Sequence, residues 1–314
     1  MKFPLASLAF LFFLCLCMVS TAQQVPSDST ASDCSFFFHY RLNEPDLRLP
    51  LPESLKEISG LSPAVDSSEV LFAIQDEEGI LFQIDKKTGT LLDTTLFYKK
   101  GDYEGLELVG DTLYVVKSTG TIYQVSNLKQ MPPTVQKHKF FLSKSNDVEG
   151  LCYDKKQNRL LLACKGESIT EEDGAERAKF EKVIYAFRLD DKQMDLTPVL
   201  RFSLEDLYRY LENCKPTEQH DKLCEYFHPD AERFIFSPSA IAIHPITQNI
   251  YLTSAHKKLL LVLSSEGKVL HLQKMNKAVH PQPEGLAFDP DGTLYIANEG
   301  KKGAGTILVF RHSE

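Results

Sequence analysis

Asp102-Tyr103-Glu104-Gly105-Leu106 reappears 45 residues later as Asp147-Val148-Glu149-Gly150-Leu151. The same pattern stands at Glu57-Ile58-Ser59-Gly60-Leu61, at Ser237-Pro238-Ser239-Ala240-Ile241 and at Gln282-Pro283-Glu284-Gly285-Leu286. Its third residues fall at 59, 104, 149, 239 and 284, in steps of 45, 45, 90 and 45. A fixed period in this range marks a repeat architecture in which each unit is one supersecondary structure.

Every unit continues alike. A second apolar run follows a turn rich in Asp, Pro and Gly: Leu71 to Ile74, Leu113 to Val116, Leu160 to Ala163, Ile250 to Thr253, Leu294 to Ala297. A third run is rich in β-branched and aromatic residues: Ile80 to Ile84, Thr121 to Val125, Val183 to Phe187, Leu259 to Leu263, Thr306 to Phe310. A fourth, more polar run appears as Thr90 to Phe97, Val135 to Leu142, Leu196 to Phe202 and Lys268 to Met275. Four strands per period is the signature of a propeller blade. The spacing predicts an all-β chain folded as a five-bladed β-propeller. The doubled 149–239 step leaves six blades as the alternative, but that interval holds one strand set and two insertions. One is the charged loop 166–182. The other, 203–233 after blade three, opens as a helix capped by Ser203, with Asp206 at the box position and a stripe of Leu204, Leu207, Tyr208 and Leu211. The fifth unit ends after three strands, so its outer strand is expected from the other terminus. Phe36 to Leu42 is the predicted donor, which makes 36–314 one domain.

Composition narrows the function. The chain of 314 residues is 43% hydrophobic and 25% charged, within the globular range and far from disordered or fibrous classes. Its formal charge of -8, with no basic run, argues against a nucleic-acid partner. Lys2 precedes an apolar run from Leu5 to Val19, and Ser20-Thr21-Ala22 supplies a signal-peptidase site. Residues 1–22 therefore read as a signal peptide and 23–35 as a flexible segment before the propeller. No membrane span is expected. Export to the periplasm or outside the cell follows; lipid anchoring at Cys15 or Cys17 is the second reading, because Leu precedes both. Cys34, Cys152, Cys164, Cys214 and Cys224 remain after cleavage. An exported chain permits disulfides, and Cys214–Cys224 is the expected pair.

The first strand of a blade lines the central channel, and residues two apart share a face. Glu104, Glu149 and Glu284, with Ser59 and Ser239, should therefore ring the axis. Glu57, Asp102, Asp147, Ser237 and Gln282 form a second ring two residues earlier. Converging carboxylates repel unless protonated or neutralised, and an all-oxygen set suits a hard cation such as Ca2+. The expected metal ligands are Glu57, Glu104, Asp147, Glu149 and Glu284. The competing reading makes each Glu a local cap that holds the strand start. Asp76, Lys117, Lys165 and Glu299 follow second strands and are placed at the channel mouth. His220, Cys224 and His228 with Cys214 match no common zinc spacing, and His244 and His256 are candidate bases without a partner. No nucleophile elbow, phosphate loop or zincin motif occurs.

The four Gly-containing motifs, spaced and in order, resemble those of the SdiA-regulated, YjiK-like family of bacterial exported proteins, from about Pro52 to the C-terminus. That resemblance implies a five-bladed propeller with bound calcium, distantly similar to NHL-repeat propellers. Blade four departs from the pattern, with Ser237 and Ser239 in place of acids. Two functions are expected. The first is an exported, monomeric calcium-binding module for a small molecule or an envelope protein. The alternative is a metal-dependent hydrolase of an ester, lactone or phosphoester, with the cation in the channel.

Overall fold

The structure, a computed structural model, describes residues 34–64, 69–166, 179–215, 217–301 and 303–313. The expected signal peptide, most of segment 23–35 and most of loop 166–182 lie outside the described residues. Strand β1 (Leu47–Pro50) precedes five sheets. Blade one is β2 (Ile58–Pro63), β3 (Val70–Gln75), β4 (Ile80–Asp85) and β5 (Leu91–Leu96). Blade two is β6 (Tyr103–Val109), β7 (Thr112–Lys117), β8 (Ile122–Ser126) and β9 (Thr134–His138). Blade three is β10 (Val148–Asp154), β11 (Arg159–Cys164), β12 (Glu181–Arg188), β13 (Gln193–Met194) and β14 (Leu200–Ser203). Helices α1 (Leu204–Asn213) and α2 (His220–Tyr226) follow. Blade four is β15 (Ala240–Ile243), β16 (Ile250–Ser254), β17 (Leu259–Leu263) and β18 (Val269–Lys274). Blade five is β19 (Pro283–Phe288), β20 (Leu294–Asn298) and β21 (Thr306–Phe310), completed by β1.

The inner strands β2, β6, β10, β15 and β19 each contact the next, and β19 returns to β2, so the ring closes. Five blades, not six, account for the described residues. Strands in the middle of a blade are covered on both faces by neighbouring blades, which is why Leu259–Leu263 is apolar throughout and fully buried. The outer strand β5 is mostly exposed and correspondingly mixed.

Three expectations need correction. The closing strand is β1, antiparallel to β21 with Leu47 opposite Val309 and Pro50 opposite Thr306, not Phe36 to Leu42. The 36–42 segment alternates apolar residues for a different reason: it straps blades four and five. Phe38 stacks on His271 at 4.4 Å, Tyr40 Oη lies 2.8 Å from His244 Nε2, and the His280 ring bonds Leu42 O at 2.7 Å. The disulfide joins Cys34 to Cys214, not Cys214 to Cys224. The strap carries Cys34 to the C-terminal end of α1, while Cys224 sits on α2 with its Sγ 3.5 Å from His220 Nε2. The outer run of blade three is also interrupted: β13 and β14 both pair with β12, and Leu196 between them is exposed. The predicted helix forms as α1, with the Ser203–Asp206 capping box complete in both directions. Its companion α2 has no counterpart in the sequence reading.

Candidate functional site

Each signature motif builds one sector of the channel. The β2–β3, β6–β7, β10–β11 and β19–β20 ladders shift register between Ile58 and Gly60, Tyr103 and Gly105, Val148 and Gly150, and Pro283 and Gly285. Ser59, Glu104, Glu149 and Glu284 are thus the extra residues of four equivalent β-bulges. A bulge frees its residue from the ladder and re-aims its side chain. The glycine that follows faces the next inner strand: a Cβ on Gly105 would lie 2.8 Å from Leu151 N, and one on Gly150 would lie 3.0 Å from Ile241 N. Blade-to-blade stitching adds to this. Ser59 Oγ donates to Tyr103 O at 2.7 Å, and Ser239 Oγ donates to Pro283 O at 2.6 Å. These two serines hold blades together.

The motif residues line a narrow cavity of about 10 Å3, wide enough for one water or ion. Glu104, Glu149 and Glu284 lie on its wall, with Leu61, Leu106, Leu151, Ile241 and Leu286. Burial pushes the Glu104 carboxyl up to about 9, with Glu149, Asp102 and Asp76 adding repulsion. Burial likewise pushes Glu284 up to about 8, helped by Glu299 and Glu149, and Glu299 up to about 7, helped by Asp76 and Glu57. Asp76 is raised by burial and by Glu57, and its Oδ1 is buried without a hydrogen-bond partner. The carboxyls of all three channel blades and of blade one therefore act on one another through a shared space.

One resident cation intrudes. Lys165 Nζ lies 2.7 Å from Glu149 Oε1 and 3.8 Å from Asp147 Oδ2. Burial raises the Glu149 carboxyl and Lys165 pulls it back. In blade five Gln282 Nε2 donates to Glu299 Oε2 at 2.6 Å, and in blade two Ser118 Oγ donates to Asp102 Oδ2. The site residues anticipated from sequence fall into place unevenly. Glu104, Glu149 and Glu284 line the channel; Asp76, Glu299 and Lys165 act on them electrostatically; Glu57 acts on Asp76 and Glu299; Asp147 pairs with Lys165. Lys117 instead lies over the Tyr103 ring, 5.8 Å from its centre.

The donor set is chemically that of a hard cation: carboxylate and amide oxygens with an excess of negative charge and one orphaned carboxylate oxygen. Among the described residues, no three Asp, Glu, His or Cys side chains lie close enough together to chelate an ion as they stand.

Glu107 was not anticipated. It bridges blades, accepting from Ser62 Oγ at 2.7 Å and from Tyr153 N at 3.1 Å, and burial pushes its carboxyl up to about 7. The available signal was its place: the equivalent positions hold Ser62, Cys152, Ala242 and Ala287, all small.

The SdiA-regulated family model matches residues 39–199 and 212–301, most of the described propeller. The chain belongs to the SdiA-regulated family. A search of curated protein sequences gives no match. Among solved structures, this SdiA-regulated protein is similar to a glutaminyl cyclase of Myxococcus xanthus, with a TM-score of 0.51 and 15% identity over 86% of this chain and 96% of that one. It is also similar to a PQQ-bound aldose sugar dehydrogenase of Streptomyces coelicolor, at 0.46 and 12% over 85% and 97%. At such identities the likeness to the cyclase shows the fold alone. Among the described residues, no helix of this family member is long and apolar enough to cross a membrane.

Proposed function

We propose that this protein is an exported propeller that holds Ca2+ among its channel carboxylates and serves as a binding module for a small molecule or an envelope protein. The observation that carries the reading is the set of raised carboxyls Glu104, Glu284 and Glu299 beside the unpartnered Asp76 Oδ1. Burying acids against one another costs stability unless a cation shares the space. Asp76, Glu104, Glu284 and Glu299 would hold the ion, while Lys165 pairs with Glu149 and lies near Asp147. The ion would fix blades one, two and five to one another and could offer open positions to a ligand oxygen at the mouth. Exposed loops around that mouth then read the ligand.

Calorimetric titration of the purified protein with Ca2+ tests this. One ion per chain is expected, with affinity falling at least tenfold in Glu104→Gln and Glu284→Gln. Binding unchanged in both variants would remove the channel from the account. The hydrolase alternative predicts calcium-dependent turnover of an ester, lactone or phosphoester that is lost in Glu149→Gln with folding intact; the binding-module reading predicts none.

A further inference from the structure

The chain carries a net charge of -8, yet one face gathers positive charge. The β16–β17 turn places Lys257 and Lys258 in succession at φ of 64° and 57°, a left-handed pair without glycine. Met275 N donates to Lys258 O at 2.7 Å and pins this turn to the end of β18. Lys258 Nζ is held by Ala255 O at 2.8 Å, and Lys274 Nζ by Lys257 O at 3.1 Å. From the insertion, α2 brings Tyr226, and the ammonium groups of Lys222 and Lys257 each lie 5.3 Å from its ring centre. Glu225 pairs with Lys222 at 3.0 Å on the exposed rim. Burial and then Lys222, Lys257 and Lys277 disfavour the Lys274 ammonium; burial and then Lys301 disfavour that of Lys258, with Glu284 opposing. The cluster therefore adjoins the channel mouth.

We propose that this basic face is a second ligand site, which takes a phosphate-bearing anion across Tyr226 between Lys222, Lys257, Lys258 and Lys274. Two of these ammonium groups are fixed by backbone carbonyls and two by one aromatic ring, and Glu225 offsets only Lys222, so a further anion relieves the repulsion among the rest. Lysine ammonium groups recognise phosphate as point charges, and the tyrosine gives the rest of the ligand a flat face. The phosphate belongs to a soluble small molecule or to a lipid headgroup. The lysines are separate from the carboxylates proposed to hold the channel cation.

Titration with pyrophosphate at low salt, in the presence of chelator, isolates this site from the channel. Saturable binding is expected, weakened at least tenfold in Lys257→Glu and in Lys274→Gln, and unchanged in Lys137→Glu on the outer edge of blade two. Melting curves establish that the variants fold. Co-sedimentation with vesicles of anionic phospholipid that is lost in Lys257→Glu assigns the phosphate to a headgroup; pyrophosphate binding without co-sedimentation assigns it to a soluble ligand. No pyrophosphate binding, or binding unaltered in both cluster variants, overturns the proposal.

Discussion

The three residues of the repeated motif have separable tasks. At Glu104-Gly105-Leu106 the first is the bulge residue aimed at the channel, the second gives room to the neighbouring inner strand, and the third lines the cavity below. The glycine is there for space: a methyl on Gly105 meets Leu151 N at 2.8 Å and Leu151 Cβ at 3.0 Å. Backbone cannot rotate away as a flexible side chain would. Gly105→Ala is therefore expected to destabilise by about 1–3 kcal/mol, as overpacking does, measured by denaturant unfolding. A cost under a few tenths would mean that the blades separate easily. The period made the acids legible in the sequence, because residue types at fixed spacing share a place in every blade. The bulge was not legible: it is a property of pairing, and single strands do not announce it. Glu107 escaped for the opposite reason, since its position breaks the repeat.

At the scale of elements, the strap shows where pattern alone misleads. Phe36, Phe38, Tyr40 and Leu42 alternate as a half-buried strand would. Their backbone instead runs outside the ladders, with aromatic and histidine rings filling the space below. The shorter Leu47–Pro50 closes the ring, and three prolines nearby hid it as a connection. Three histidines packed beneath the strap are wired neutral. His244 Nδ1 accepts from Ile246 N and Thr247 N while its Nε2 faces Tyr40 Oη, which itself donates to Gly292 O. His280 bonds Leu42 O through Nε2, and its buried Nδ1 has no partner. Burial lowers His244, His271 and His280 to about 4 from an ordinary 6.5. Their folded values are depressed, so the unfolded chain binds more protons between these limits and stability rises with pH there. The melting temperature is expected to fall as pH drops from about 6.5 toward 4. His271→Phe, which keeps the ring stacked on Phe38, should make that fall shallower. A slope identical to that of the unsubstituted protein would place the acid sensitivity elsewhere.

For the whole molecule, closure is what the termini and blade one must achieve together. Lys86, in the turn after β4 of blade one, reaches Asp289 of blade five at 2.5 Å with both side chains largely buried, and Tyr295 Oη donates to the same carboxylate at 2.7 Å. Removing one partner of a buried pair leaves a stranded charge, so Lys86→Met should cost about 3–5 kcal/mol and Lys86→Met with Asp289→Asn together much less than the sum of the two; additive effects would mean that the pair is not coupled. The number of blades was legible because the 45-residue step is a geometric count, whereas Cys34–Cys214 and β1 depend on how the N-terminal segment wraps around blades far off in sequence. The channel acids impose the opposite pH trend to the strap. Their folded values are raised, so without a cation stability declines as pH rises from about 4.5 toward 9, and calcium should cancel that decline.

The measurement that bears most directly on the account is the melting temperature of the purified protein at pH 8, in calcium and in chelator, with Glu104→Gln/Glu284→Gln beside the unsubstituted chain. The account predicts a marked rise in calcium for the unsubstituted protein, and a variant that is insensitive to calcium yet more stable than its parent in chelator. No calcium effect on the parent, together with loss of stability in the variant under chelator, would contradict it and make those glutamates structural caps.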